Sequence, residues 1–462
     1  MKTIRIKTPV FSIFIITAIL IAVCLIMPED FIIKYGQWFY AFQFFSVFLP
    51  LLKYKNNFLY YFSPSFMTFA YVNLTFAFGH FAVSRGLGFS LDFYNAFINY
   101  KSVSLITAYF LTCNFLVIIA IPFNKFKSIT QEYVSEKSTP NKLFIVFLLL
   151  IFLLILSSLD INLDSYGGAG NFNYIFELAI TIGIVLIISS SKNRFRFLIY
   201  LSIILLYLVM HFDSKREIFF VVLLIVFTEI VKNNISIRIK PKQIIISVLG
   251  LAFMIYVIIV ASIMRGYGKY EIENPIDASA MVFNYVQSDF AVNAMVANFE
   301  FTYAYGNTSN AVDYVLNNEV NYLFGSTFFK VFFIPIPRSA FPSKPRSMVD
   351  IYTDKFDPQF RNIGGSYPIG IYAESLWNFS VFGLPFILIM YIIFNMFFLK
   401  LIVFIKKDRI SVYSLFLMYL YITLIQFVRG AGIELWLLYA ILALPTIFLV
   451  KILFILKVIN SE

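Results

Sequence analysis

The chain has 462 residues, 60% hydrophobic and 19% aromatic, and only 13% are charged. No soluble domain of this length carries so little charge, so the composition excludes a soluble enzyme and predicts an all-α polytopic membrane protein. A formal net charge of +11 would suggest nucleic acid in a soluble protein; here topology explains it, and no nucleic-acid partner is expected.

The N-terminus, MKTIRIKTP, precedes an apolar run over 10–27. This resembles a signal peptide, but the run exceeds a usual signal core and no small-x-small site follows, so it predicts an uncleaved first helix. Twelve apolar segments follow in order, near 9–27, 35–52, 62–83, 103–122, 143–159, 174–190, 195–210, 218–231, 244–263, 375–399, 412–428 and 435–456. Each is long enough, or nearly so, to span a bilayer. The segments at 195–210 and 218–231 are short and suit a tight hairpin. Cys24 and Cys113 lie inside apolar segments without CxxC spacing, so neither a disulfide nor a metal site is indicated.

Charge orients the map. With the N-terminus in the cytoplasm, that side holds 22 of the 36 cations and five of the 25 acids, leaving +17 inside and −6 outside. This is a positive-inside pattern with both termini cytoplasmic. Three parts result: a membrane part at 1–264 with nine helices, a large external loop at 265–374 between helices 9 and 10, and a membrane part at 375–462 with three.

The loop carries eight cations and eleven acids, so its arginines stand against an acidic background. Residues 278–299 space apolar side chains as an amphipathic helix would. Residues 321–336 are apolar but short, interrupted by Lys330 and Pro335, with Pro337 just beyond, and read as re-entrant or interfacial. Residues 333–346, FIPIPRSAFPSKPR, contain four prolines. Each fixes φ, removes a backbone donor and pushes the preceding residue toward extended geometry. The result is a stiff strap presenting Arg338, Lys344 and Arg346, which suits a phosphate-bearing ligand. A structural proline loop with snorkelling cations is the alternative.

Ionisable groups at the outer mouth are the other candidates, because charges near a membrane are costly and tend to be functional. His211, Asp213, Lys215, Arg216 and Glu217 crowd one short turn. Arg216 reads either as a phosphate anchor or as the partner of a neighbouring acid. Arg265 ends the ninth segment, and Arg361 precedes the polar turn NIGGS. Arg429 and Glu434 flank the last external turn, RGAGIELW. Glu374 opens the tenth segment, where a helix N-terminus favours the carboxylate and suits a base facing the outer cavity; a structural carboxylate is the alternative. His80 reads as a core histidine. No P-loop or dinucleotide fingerprint is present. The acids of DIYTDKFD, at spacings of four and three, are not a close metal-holding pair, and two histidines are too few for zinc. Neither metal nor cofactor is expected, so cations must do the charge work.

Three stretches carry a resemblance: IPRSAFPSKP at 336–345, GGSYPIGIYAESLWNFSVFG at 364–383, and FSPSFMTFAYVNLTFAFG at 62–79. With the plan of about twelve helices and one large external loop, they resemble the Wzy-type polymerases of O-antigen and capsular repeat units, most strongly over 323–383. The Arg-x10-Gly pattern of some members is not found at Arg265, Arg338 or Arg361. The resemblance implies a metal-independent glycosyltransferase of the bacterial inner membrane. It would join oligosaccharide units carried on undecaprenyl diphosphate at the outer face. Its expected partners are lipid-linked donor and acceptor glycans, membrane lipid and a chain-length regulator protein. By this reading Arg216, Arg265, Arg338 and Arg346, then Lys344 and Arg361, hold the diphosphate. Glu374, then His211, takes the acceptor proton, and Tyr303, Tyr305, Tyr322 and Trp377 stack on sugars. A lipid-linked oligosaccharide flippase or transporter and an O-antigen ligase are the alternatives.

Overall fold

The computed structural model describes residues 8–52, 58–87, 97–100, 102–123, 142–158, 173–189, 195–210, 215–233, 274–288, 301–317, 320–333, 339–407 and 411–459, with scattered positions in 249–272 and Ile336. Among these every regular element is helical.

Helices form where the apolar segments lie. The first nine are α1 (Thr8–Ile26), α2 (Glu29–Tyr35), α3 (Gln37–Leu52), α4 (Pro64–Val83), α5 (Val103–Ile119), α6 (Lys142–Ser158), α7 (Asn173–Ser189), α8 (Phe195–Met210) and α9 (Lys215–Asn233). Their starts follow local chemistry. Ser63 accepts from the Phe66 amide at 3.2 Å with Pro64 in the first turn, and Ser102 accepts from Leu105 at 3.1 Å. Both serines satisfy backbone donors that a helix start leaves unpaired. Arg196 at the start of α8 pairs with Glu229 near the end of α9 at 3.1 Å. The two helices therefore run antiparallel, as the short segments predicted. Half of the ninth predicted segment lies outside the described residues.

The later apolar segments are broken rather than continuous. The expected helix over 375–399 is two, α16 (Ile371–Phe379) and α17 (Gly383–Lys406), separated at Ser380, whose φ is 55°. The segment at 412–428 becomes α18 (Val412–Ile422), bent by 43° from Leu424–Ala431. Gly430 and Gly432, with φ of 115° and 80°, then lead into α19 (Ile433–Leu442) and α20 (Leu444–Ile459). Three described helical stretches are long and apolar enough to cross a membrane, or four if the bent pair is one span.

Most of the described residues of the loop expected over 265–374 are helical. The single amphipathic helix over 278–299 is instead two short helices, α10 (Pro275–Ala280) and α11 (Val282–Val286), and its remainder lies outside the described residues. Then come α12 (Phe301–Asn317), α13 (Ser326–Phe329) with a 3-10 turn at Lys330–Phe333, α14 (Met348–Phe356) and α15 (Pro358–Asn362). α12 packs against α4 and α16. Gly79 permits the first contact, since a Cβ there would come within 2.4 Å of the Tyr305 Cβ. His80, fully buried, meets the Tyr305 hydroxyl at 2.7 Å and the Ile32 carbonyl at 3.0 Å. It is a core histidine, as expected. Tyr305 and Trp377 are buried in the same core, so neither offers a ring face to a sugar.

Candidate functional site

Residues 339–346 of the strap contain no helix, as Pro342 and Pro345 require. The stretch borders a cavity of about 830 Å³ built from parts distant in sequence. The start of α9 contributes Arg216. The strap gives Lys344 and Arg346, the turn after α13 gives Lys330, and α15 gives Arg361. The break before α19 gives Gln426, Arg429 and Glu434. Six cations thus face two lining carboxylates, Asp350 and Glu434.

Arg216, Arg346 and Arg361 are each held by a carboxylate. α14 begins at Ser347, which accepts from the Asp350 amide at 3.1 Å. Asp350 and Asp354 lie one turn apart and therefore share a face. Arg361 reaches Asp350 at 2.7 Å and Asp354 at 3.7 Å, while Arg346 pairs with Asp354. The acids of DIYTDKFD are arginine clamps. These pairs are partly exposed and contribute only about 0–1 kcal/mol each to stability; what they supply is orientation. Arg361 also sits in the last turn of a helix capped by Asp357, which accepts from the Phe360 amide at 2.9 Å. Lys344 donates to the Ile336 carbonyl at 3.0 Å. Arg216 forks onto Glu217 at 2.7 and 3.0 Å and lies over the Tyr174 ring. Both readings of Arg216 meet here: an adjacent acid holds it, and it lines the cavity.

The buried carboxylate on the cavity wall is Glu434. Its Oε1 accepts from Lys330 at 3.3 Å, and its Oε2 is buried without a hydrogen-bond partner. Glu374 does not line the cavity and is fully buried. Its Oε1 accepts from the Thr327 hydroxyl at 2.7 Å, and the Asn378 amide donates to Thr327 at 2.9 Å. The expectation of a base facing the outer cavity from Glu374 is corrected. Glu374 stands in the short helix α16 and is engaged by Thr327 of α13. His211, Arg265 and Arg338 lie outside the described residues. Of the expected diphosphate ligands, Arg216, Lys344, Arg346 and Arg361 come together.

Lys330, Arg429, Glu434 and Gln426 complete the wall and were not among the expected ligands. Lys330 had a sequence signal, a lone cation inside the apolar run FGSTFFKVFF, where a charge is costly unless used. Arg429 and Glu434 flank two glycines in RGAGIELW. Those glycines break the helix: a Cβ on Gly430 would lie 2.4 Å from the Ile369 backbone nitrogen. Irregular backbone at membrane depth is tolerated where it lines a cavity.

An oriented cluster of guanidinium and ammonium groups recognises a polyanion, and diphosphate offers the matching oxygens. Among the described residues no group of three His, Cys, Asp or Glu side chains is placed to hold a metal ion. No protein-family model matches this chain, no curated protein matches it, and no solved structure matches its fold.

Proposed function

We propose that this chain is a glycan polymerase of the bacterial inner membrane. It extends surface polysaccharide by transferring a chain from its undecaprenyl diphosphate carrier to a lipid-linked repeat unit. The observation that carries this reading is the cavity, where six cations from five separate stretches face a space large enough for a diphosphate and sugars. The leaving group is a lipid diphosphate, and fixed cations stabilise the charge that develops on it. The resemblance to Wzy-type polymerases supplies the reaction. The carrier's tail also has a suitable wall. The opposite face of α19 places Ile433, Trp436 and Leu437 beside an apolar groove of about 240 Å³, completed by Phe394, Phe398 and Tyr421. A polyisoprenoid chain suits it. Membrane lipid and a chain-length regulator protein complete the proposed partners.

The test is polymerisation of lipid-linked repeat units by the purified protein, with binding of undecaprenyl diphosphate measured alongside. Chains longer than one unit are expected, and they should still form with EDTA present. Activity lost to EDTA and restored by magnesium or manganese would overturn the cation mechanism. Transport of single units without elongation would make the protein a flippase, and transfer to lipid A core would make it a ligase.

The proposed topology has twelve spans, cytoplasmic termini and an external cavity. Cys24 and Cys113 are both buried, so background labelling by a thiol reagent should be low. Ser343 and Lys407 are exposed. In intact spheroplasts a membrane-impermeant maleimide should label Ser343→Cys, and should label Lys407→Cys only after permeabilisation. The reverse pattern rejects the orientation.

A further inference from the structure

We propose that Glu434, with Gln426 beside it, forms the acceptor subsite of this cavity, and that Glu434 takes the acceptor hydroxyl's proton. The inference rests on the polymerase reading and deepens it. Glu434 is 7% exposed and Gln426 5%, and both line the cavity. The Glu434 Oε2 and both amide atoms of Gln426 are buried without a hydrogen-bond partner. Leaving buried polar atoms unpaired is costly. A carboxylate acceptor with an amide that both donates and accepts matches a sugar hydroxyl, which also does both.

The local backbone serves this arrangement. Gly432, at φ 80°, leads directly into α19, and a Cβ there would lie 2.7 Å from the Glu434 Oε2. The glycine therefore keeps that oxygen's surroundings open. Lys330 lies 3.3 Å from Oε1. One oxygen is held by the lysine and the other remains for substrate. Glu374, the other buried carboxylate nearby, is already engaged by Thr327.

The step balances within the cavity. The acceptor O–H gives its proton to the Glu434 Oε2. The acceptor oxygen forms a bond to the donor's anomeric carbon, and the bond from that carbon to the diphosphate oxygen breaks. The diphosphate leaves with the electron pair, held by the arginines, and protonated Glu434 then releases its proton to water. General-base catalysis of this kind contributes about 100-fold or more.

Glu434→Gln separates this role from a structural one. It removes a negative charge from a cationic cavity, so inorganic pyrophosphate should bind as well as before or more tightly. Polymer formation should fall about 100-fold or more. A loss of both together would mean that the Lys330–Glu434 pair only holds the fold, and would overturn the proposal. The double variant Lys330→Gln/Glu434→Gln removes the ion pair without leaving a lone buried charge. It should fold and remain inactive; recovered polymerisation would equally overturn the proposal. Glu434→Gln with undiminished turnover removes the subsite and leaves the polymerase reading standing. A wild-type protein that makes no polymer removes both.

Discussion

Arg361→Ala is expected to reduce polymer formation about 100-fold or more, the usual cost of losing one charged donor aimed at a developing anion. Arg361 is the cation most firmly aimed into the cavity. Its guanidinium bridges Asp350 and Asp354, at 2.7 and 3.7 Å, and it sits on a capped helix rather than on the strap. Removing it also leaves two neighbouring acids without their shared cation, so the cavity turns less positive in two ways. Arg361→Lys should rescue poorly, because a single ammonium cannot span two carboxylates and still present a planar donor pair. The measurement is chain length on a gel of surface polysaccharide at equal protein abundance. Single repeat units should still reach the surface, since their export precedes elongation. Normal chains from Arg361→Ala would sink the assignment of this cavity to the diphosphate.

Much of the site was legible because its chemistry violates the membrane's rules. Arg216, Lys344, Arg346 and Arg361 stood out as charges at the mouth of apolar segments, and the structure brings all four to one cavity. The lack of helix over 339–346 was legible from Pro342 and Pro345 alone. Helix α12 was not. Its buried face mixes Thr302, Asn307, Thr308 and Ser309 with Ala304, Tyr305, Ala311, Val312 and Val315, so the apolar stripe is diluted by polar positions. A hydrogen bond and close approach add to that packing: Thr308 accepts from the Gly370 amide at 3.1 Å. A pattern of hydropathy cannot report contacts of that kind. Glu374 was misplaced for a related reason. An apolar segment reads as one helix, and nothing in ESLWNFSVFG announces that Ser380 takes a φ of 55° and separates Glu374 from the long helix that follows. Asp350 and Asp354 were read as unsuited to a metal but were given no role, whereas their i, i+4 spacing serves the two arginines. Lone acids in a cationic site are as often positioners of cations as ligands of metal.

Gly430→Ala should be the most damaging change that touches no charge. At φ 115° an alanine is strained by about 1–3 kcal/mol. Its Cβ would also lie 2.4 Å from both the nitrogen and the oxygen of Ile369. Neither is the movable end of a side chain, so the backbone must shift, at a further cost of about 1–3 kcal/mol. That shift would break the hydrogen bond from the Ile369 amide to the Gly430 carbonyl. It would also displace Arg429 and Glu434, which stand on either side of the break. Gly364→Ala is the control. Its φ is +86° but a Cβ there meets nothing within 4 Å, so it should cost only the about 1–2 kcal/mol of left-handed strain. Thermal unfolding in detergent and pyrophosphate binding should both be measured. Gly430→Ala should lower stability more than Gly364→Ala and weaken binding at least about tenfold, the equivalent of 1.4 kcal/mol. Equal behaviour of the two variants would mean that the break is an incidental kink. Binding loss confined to Gly430→Ala would instead tie anion recognition to a helix interrupted where its backbone meets the insert, which is how this fold places polar groups at a depth where an unbroken apolar helix has none.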